Sequence, residues 1–188
     1  MTHKEIFDDV KDSINYEDLE KEKPKIFKKI FTVTVSILLI VLILSYFLTN
    51  STIRSVAIGL FESSKIEDSI VEINKTSSLI FEDNTYNQLL IIYNNNPDLE
   101  FKVCLKGLIK DNNYLINEIF TPKTYLQTPN KVIADPCPKD SLVDMHSHPL
   151  RHCLPSEQDF ISFSSFKKKN NNAIMAVLCE KGRFNFYS

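Results

Sequence analysis

An α/β domain of the α+β kind, carried behind a single transmembrane helix, is the fold this sequence predicts. Three observations lead to it. Residues 30–48 are almost wholly apolar. Beyond residue 77, short β-rich segments alternate with stretches of helical period, and asparagine, proline and aspartate turn signals separate them. With 188 residues, 43% of them hydrophobic and 24% charged, the chain has material for one packed domain plus an appendage.

The membrane element comes first in the chain. No charged residue occurs over 30–53, and the run IFTVTVSILLIVLILSYFL lacks proline and glycine. About 20 such residues cross the hydrocarbon core of a bilayer. Tyr46 and Phe47 close the run as interfacial anchors. A cleaved signal peptide fits poorly, because the apolar run is too long and the leader before it too extended and acidic. Residues 1–29 are polar and charge-rich and read as a loosely ordered tail. Lys21, Lys23, Lys25, Lys28 and Lys29 precede the helix, whereas Arg54 and Lys65 are the basic residues soon after it. That bias predicts a cytoplasmic N-terminus and an extracytoplasmic C-terminal domain.

Residues 54–76 form the expected stalk. Ser64 and Glu67 match a capping box, and Ile66, Ile70 and Ile73 share a helical face, so the pattern predicts a helix from about 65 to 75. The domain proper is expected over 77–188. Strands are predicted at 77–81, 100–109, 114–120, 131–134 and 141–147, with a helix over 85–94. A second helix should start at Ser156 and run to about Lys168. Residues 173–179 and 183–187 should close the domain as a hairpin turning at Glu180-Lys181-Gly182.

Composition also excludes some functions. Acidic and basic residues nearly balance, with a net charge of -2, which leaves no electrostatic footprint for nucleic acid. With Gly 3 in the whole chain, phosphate-cradling glycine loops are absent. Cys104, Cys137, Cys153 and Cys179 all fall in the expected domain. They permit two disulfides in any of three connectivities if the domain is exported, or four buried thiols if it is not.

Chemistry concentrates at Asp144-Met145-His146-Ser147-His148-Pro149 and Pro155-Ser156-Glu157-Gln158-Asp159. On a strand, positions i and i+2 face the same way, so His146 and His148 can aim two imidazoles at one point. Asp159, in the first turn of the following helix, can add a carboxylate oxygen. Two nitrogens and one oxygen suit a catalytic zinc site, which keeps its fourth position open. Each piece also has a bland use. Strand histidines often bond backbone carbonyls, and Ser156 with Asp159 forms an N-terminal capping box. His152 reads as loop packing and Cys153 as a disulfide or a buried thiol, since extra ligands there would close the open position. Lys167, Lys168 and Lys169 read as a helix end matched to the macrodipole.

These residues resemble the JAMM (MPN+) metalloprotease motif, H-x-H-x7-S-x2-D, at every interval. The upstream family pattern E-x-x-x-x-L-x-G is matched by Glu100, Leu105 and Gly107, and Pro97-Asp98 and Cys153 are similar to features of short archaeal members. The resemblance covers roughly 77–188. It implies an MPN-type mixed sheet flanked by helices, Zn2+ held by His146, His148 and Asp159, Glu100 as general base, and Ser156 as a donor to the developing oxyanion. It further implies hydrolysis of peptide or isopeptide bonds in ubiquitin-like protein conjugates or other protein substrates. The short spans between motifs leave no space for the insertions that give some relatives linkage selectivity. Three rivals stand beside it. A bacterial DNA-repair-associated group shares the spacing, but usually has glycine where this chain has Arg151. An extracytoplasmic peptidase could act on exported proteins, and a tethered module could bind ubiquitin-like proteins without cleaving them.

Overall fold

The computed structural model describes residues 26–149 and 152–188. Most of the expected tail (1–25) and Arg151 therefore lie outside the described residues. Helix α1 spans Ile26–Thr49, and all its side chains are exposed. Its 24 residues make a rod of about 36 Å, longer than the roughly 30 Å of a bilayer core. By length and composition it can cross a membrane. The chain divides into two compact units, residues 1–47 and 48–188.

The second unit begins with helix α2, Ser51–Glu62. It starts where it does because Asn50 accepts from the Ile53 N–H at 3.2 Å, satisfying one of the donors a helix start leaves open. Residues 65–75 correct the expected stalk helix. They hold strands β1 (Ser64–Lys65) and β2 (Ile70–Asn74), joined by a turn with Asp68 and Ser69 at φ 49 and 66. Two consecutive left-handed residues end any helix and make a tight reversal. A capping pattern and isoleucines three and four apart were therefore not sufficient for a helix.

The rest follows in order: β3 (Ser77–Phe81), α3 (Thr85–Asn95), β4 (Lys102–Lys110), β5 (Asn113–Phe120), β6 (Thr124–Thr128), β7 (Lys131–Ala134), β8 (Ser141–Ser147), α4 (Glu157–Lys167), β9 (Ile174–Glu180) and β10 (Arg183–Tyr187). Strand β6 was not anticipated. It pairs with β7 in a small antiparallel ribbon. The other strands form an 8-stranded mixed sheet in the order β1-β10-β9-β8-β4-β5-β3-β2. Its parallel pairs are β3 with β5 and β8 with β9. Its two end strands are neighbours in sequence, and a Glu67–Ile70 bridge joins the turn between them, so the sheet curls back on itself.

Alternation within the strands assigns the two faces. Val103 and Leu105 of β4, Val143 and Met145 of β8, and Ala176 and Leu178 of β9 join Leu89 of α3 in the main core. Cys104 and Met175 belong to a second cluster with Phe163 and Phe166 of α4. The pairings Lys102–His146, Cys104–Asp144 and His146–Val177 place Asp144 and His146 on the same face as that second cluster. Gly107 sits at a register shift between β4 and β5, where a Cβ would run into the Leu115 carbonyl, so the backbone itself requires glycine. Two disulfides, Cys104–Cys137 and Cys153–Cys179, complete the unit and select one of the three connectivities.

Candidate metal centre

Strand β8 is buried along its whole length, and the site forms where it ends. The backbone there is held from both sides. The Ser147 N–H donates to the Phe101 carbonyl at 2.9 Å, and the His148 N–H donates to the Leu178 carbonyl at 3.0 Å. The Ser147 hydroxyl, on the opposite face from the histidines, accepts from the Phe101 N–H at 2.9 Å. Beside them, Asp144 is buried and paired with Lys102 at 3.0 Å, so this carboxylate is already satisfied. The His146 and His148 rings consequently lie side by side, their centroids 4.8 Å apart.

Asp159 arrives from the third position of α4. The Ser156 N–H and Ser156 hydroxyl both donate to its Oδ2 at 2.7 Å, while the Asp159 N–H donates back to Ser156 Oγ at 3.3 Å. This is the capping box read from the sequence, and it fixes the rotamer of the carboxylate. Asp159 Oδ2 lies 3.4 Å from His146 Nε2 and 3.7 Å from His148 Nε2. Glu100 stands just before β4, held by its N–H on the Thr128 carbonyl of β6 at 2.9 Å. Its Oε1 is 3.7 Å from His148 Nε2.

Burial and neighbours divide the two carboxylates. Burial pushes Glu100 up to about 7, the proximity of His148 opposing this and that of Asp159 adding to it. Burial acts on Asp159 in the same sense, but His146, His148 and the Ser156 hydroxyl together outweigh it and hold Asp159 well below the usual carboxylate range. One acid is thus poised to exchange a proton near neutrality, while the other stays ionised.

Two features test whether a metal fits. His146 Nε2 is buried and makes no hydrogen bond among the described residues; it faces the Asp159 carboxylate at 3.4 Å, as a neighbouring ligand atom would. His148 Nδ1 lies 3.1 Å from the His152 carbonyl, which can only accept, so Nδ1 carries a proton and, in the neutral ring, the Nε2 lone pair faces the site. That is the arrangement in which a ligand histidine is oriented by its second nitrogen. The candidate ligand atoms of His146, His148 and Asp159 all lie within 4.8 Å of one another. Ligands about 2.1 Å from a tetrahedral zinc stand about 3.4 Å apart, close to the spacings seen here. The residues fit a small divalent metal bound by two nitrogens and one oxygen.

The site opens into a cleft of ≈ 1280 Å³. Glu100, His148, Ser156 and Asp159 line it, together with Val132 and Ile133 of the β6–β7 ribbon. Ser55 and Ile58 of α2 belong to the lining too. The sequence pattern leaves these two residues out, because it places 54–76 in a stalk. The signal for α2 was the Asn50 cap ahead of Ile53, Val56 and Leu60, which recur at helical spacing. Lys167 ends α4 and reaches the Ala173 carbonyl at 2.8 Å, in keeping with the helix-end reading of the lysine run. No family model matches the chain, and no curated relative does either.

Proposed function

We propose that the chain is a membrane-anchored zinc metallopeptidase of the JAMM (MPN+) type, hydrolysing peptide or isopeptide bonds of ubiquitin-like protein conjugates. One observation carries the reading. Three ligand-type atoms converge at the end of β8, and beside them stands a buried carboxylate raised to about 7. The motif spacing described above supports the same assignment, and the mixed sheet with a helix on each face is compatible with an MPN-type fold.

A metal held by His146, His148 and Asp159 would supply Lewis acidity, activating water and polarising the scissile carbonyl. Glu100 is the group that moves the proton. It accepts one from the attacking water at a carboxylate oxygen and returns it to the leaving amine. Ser156 has two functions that its backbone and side chain can share. Its hydroxyl donates to Asp159 at rest, and because the Ser156 N–H also holds that carboxylate, the hydroxyl can turn to donate to the developing oxyanion. The hydrolysis balances as amide plus water giving carboxylic acid and amine.

A second reading concerns the substrate, and the disulfides favour it. Cys104–Cys137 and Cys153–Cys179 belong in an oxidising compartment, where exported proteins would be the targets. The test of the central claim is elemental analysis of the purified full chain, expected to give one zinc per chain, together with chelator-sensitive cleavage of a peptide-linked ubiquitin-like substrate. Failure to retain stoichiometric zinc after reconstitution would overturn the peptidase reading.

A further inference from the structure

Helix α2 meets the site through a polar contact. Ser55 Oγ lies 2.7 Å from His152 Nε2, across 97 positions of sequence. The carbonyl of this same His152 accepts from His148 Nδ1 at 3.1 Å. Two hydrogen bonds therefore connect α2, the helix directly following the membrane-length segment, to a candidate metal ligand. The approach is close. Gly59 is buried on Cys153, and a Cβ at Gly59 would overlap the Cys153 side chain. From the other direction Cys153 is tied to β9 by its disulfide and to Asn185, whose Nδ2 donates to the Cys153 carbonyl at 3.2 Å. Arg183 adds a further hold on α2, its Nη1 donating to the carbonyls of Leu60 at 3.4 Å and Ser63 at 3.5 Å near the helix end.

His152 and Cys153 are thus clamped between the sheet and α2. The sheet holds the backbone at residue 153. Ser55 holds the ring of residue 152, and with it the direction of the carbonyl that His148 needs. We propose that Ser55 and His152 are a positioning pair through which α2 sets the orientation of the His148 ring and so the metal affinity of the site. The inference rests on the metal reading above and adds to it a working role for the segment next to the membrane anchor. Ser55 and His152 are positioning residues, since neither is argued to touch substrate or metal.

The experiment uses the full-length protein in detergent or nanodiscs, and its readout is the affinity for Zn2+ alone, measured by competition with a chromophoric chelator. His152→Ala keeps the backbone carbonyl and removes only the ring that Ser55 holds. Outer-shell partners of metal-bound histidines are worth 10–100-fold in affinity, so a loss on the order of 10-fold is expected for Ser55→Ala and for His152→Ala. Because both remove the same contact, the double variant should lose no more than either single one, and Ser55→Thr, which keeps the hydroxyl, should stay near the parent. Unchanged affinity in both single variants overturns the pair. So does a double variant whose loss is the product of the two, or a Ser55→Thr variant as weak as Ser55→Ala. If the parent protein itself binds no Zn2+, the metal reading fails and this inference falls with it. Tight binding by the parent with unaffected variants removes the pair alone.

Discussion

Glu100 and His148 are 3.7 Å apart, yet they should fail differently when changed. Glu100→Gln keeps the shape and leaves His146, His148 and Asp159 intact, so zinc stays bound while turnover falls by roughly 10²–10⁴-fold, the worth of a positioned general acid–base group. His148→Ala removes a ligand, so zinc content and turnover should vanish together. Zinc loss in the glutamate variant, or full activity in it, would show the roles to be misassigned. Proton linkage gives a second test on the metal-free protein. Burial raises Glu100 from 4.5 to about 7, so across that window the folded chain holds a proton that the unfolded chain has released. This contribution to stability is complete below the unfolded value and is lost as pH rises through the folded one. Thermal melts in chelator should fall between pH 5 and pH 7 by a component that Glu100→Gln abolishes, and an unchanged slope in that variant would assign the linkage elsewhere. Zinc should draw the titration of Glu100 downward, because a neighbouring positive charge favours the carboxylate, and NMR of labelled glutamate can follow it.

Helix α4 shows how far an element can be read from sequence, and where such reading stops. Its capping box was legible because Ser156 and Asp159 act within one turn, and the box proves to orient the third ligand-type group. The pairing of His146 with His148 was legible for a similar reason, since strand alternation is local. The 65–75 segment departs from its expected helix because Ile66, Ile70 and Ile73 suit a helix face, while β1 is decided by long-range pairing with β10 and β2 by the hairpin it forms with β3. Strand β6 escaped notice because its Thr-Tyr-Leu-Gln-Thr sequence has no strong apolar period, and pairing with β7 makes it a strand. The contact of Ser55 with His152 spans 97 residues and leaves no local trace. For α4 the expected outcome is specific. Ser156→Ala should cost about 0.5–2 kcal/mol of stability, as lost N-caps do. If the hydroxyl also serves the oxyanion, kcat should fall by about 10²–10³-fold, far more than the modest change in melting explains. A variant that melts earlier but turns over normally would confine Ser156 to its structural use.

At the scale of the whole molecule, the question is which side of the membrane the domain faces, because substrate class depends on it. Helix α1 carries Lys28 and Lys29 at its start, after Lys21, Lys23 and Lys25 in the sequence, and has no basic residue in its last turn. If this helix crosses a membrane, the positive-inside rule predicts a cytoplasmic N-terminus and an extracytoplasmic domain. The two disulfides bear on the same question from different physics. Cys104–Cys137 and Cys153–Cys179 leave no free cysteine among the described residues, a pattern that persists in oxidising compartments and is rare in a reducing cytosol. Charge bias and redox chemistry are independent, and they agree. Because the four native cysteines are buried, the test uses a cysteine introduced at the exposed position Lys181 (Lys181→Cys), which an impermeant maleimide should label in intact cells. Label that appears only after lysis would put the domain in the cytosol. On the proposed function, that result would favour cytosolic ubiquitin-like conjugates over exported proteins as substrates. The disulfides should also matter energetically. The Cys104–Cys137 bridge closes a sequence separation of 33, for which the chain-entropy estimate is roughly 3–4 kcal/mol. A Cys104→Ala/Cys137→Ala variant should accordingly melt well below the parent while keeping its zinc, because neither cysteine touches the candidate ligands. Loss of zinc in that variant at a temperature where it remains folded would mean that the bridge supports the site directly.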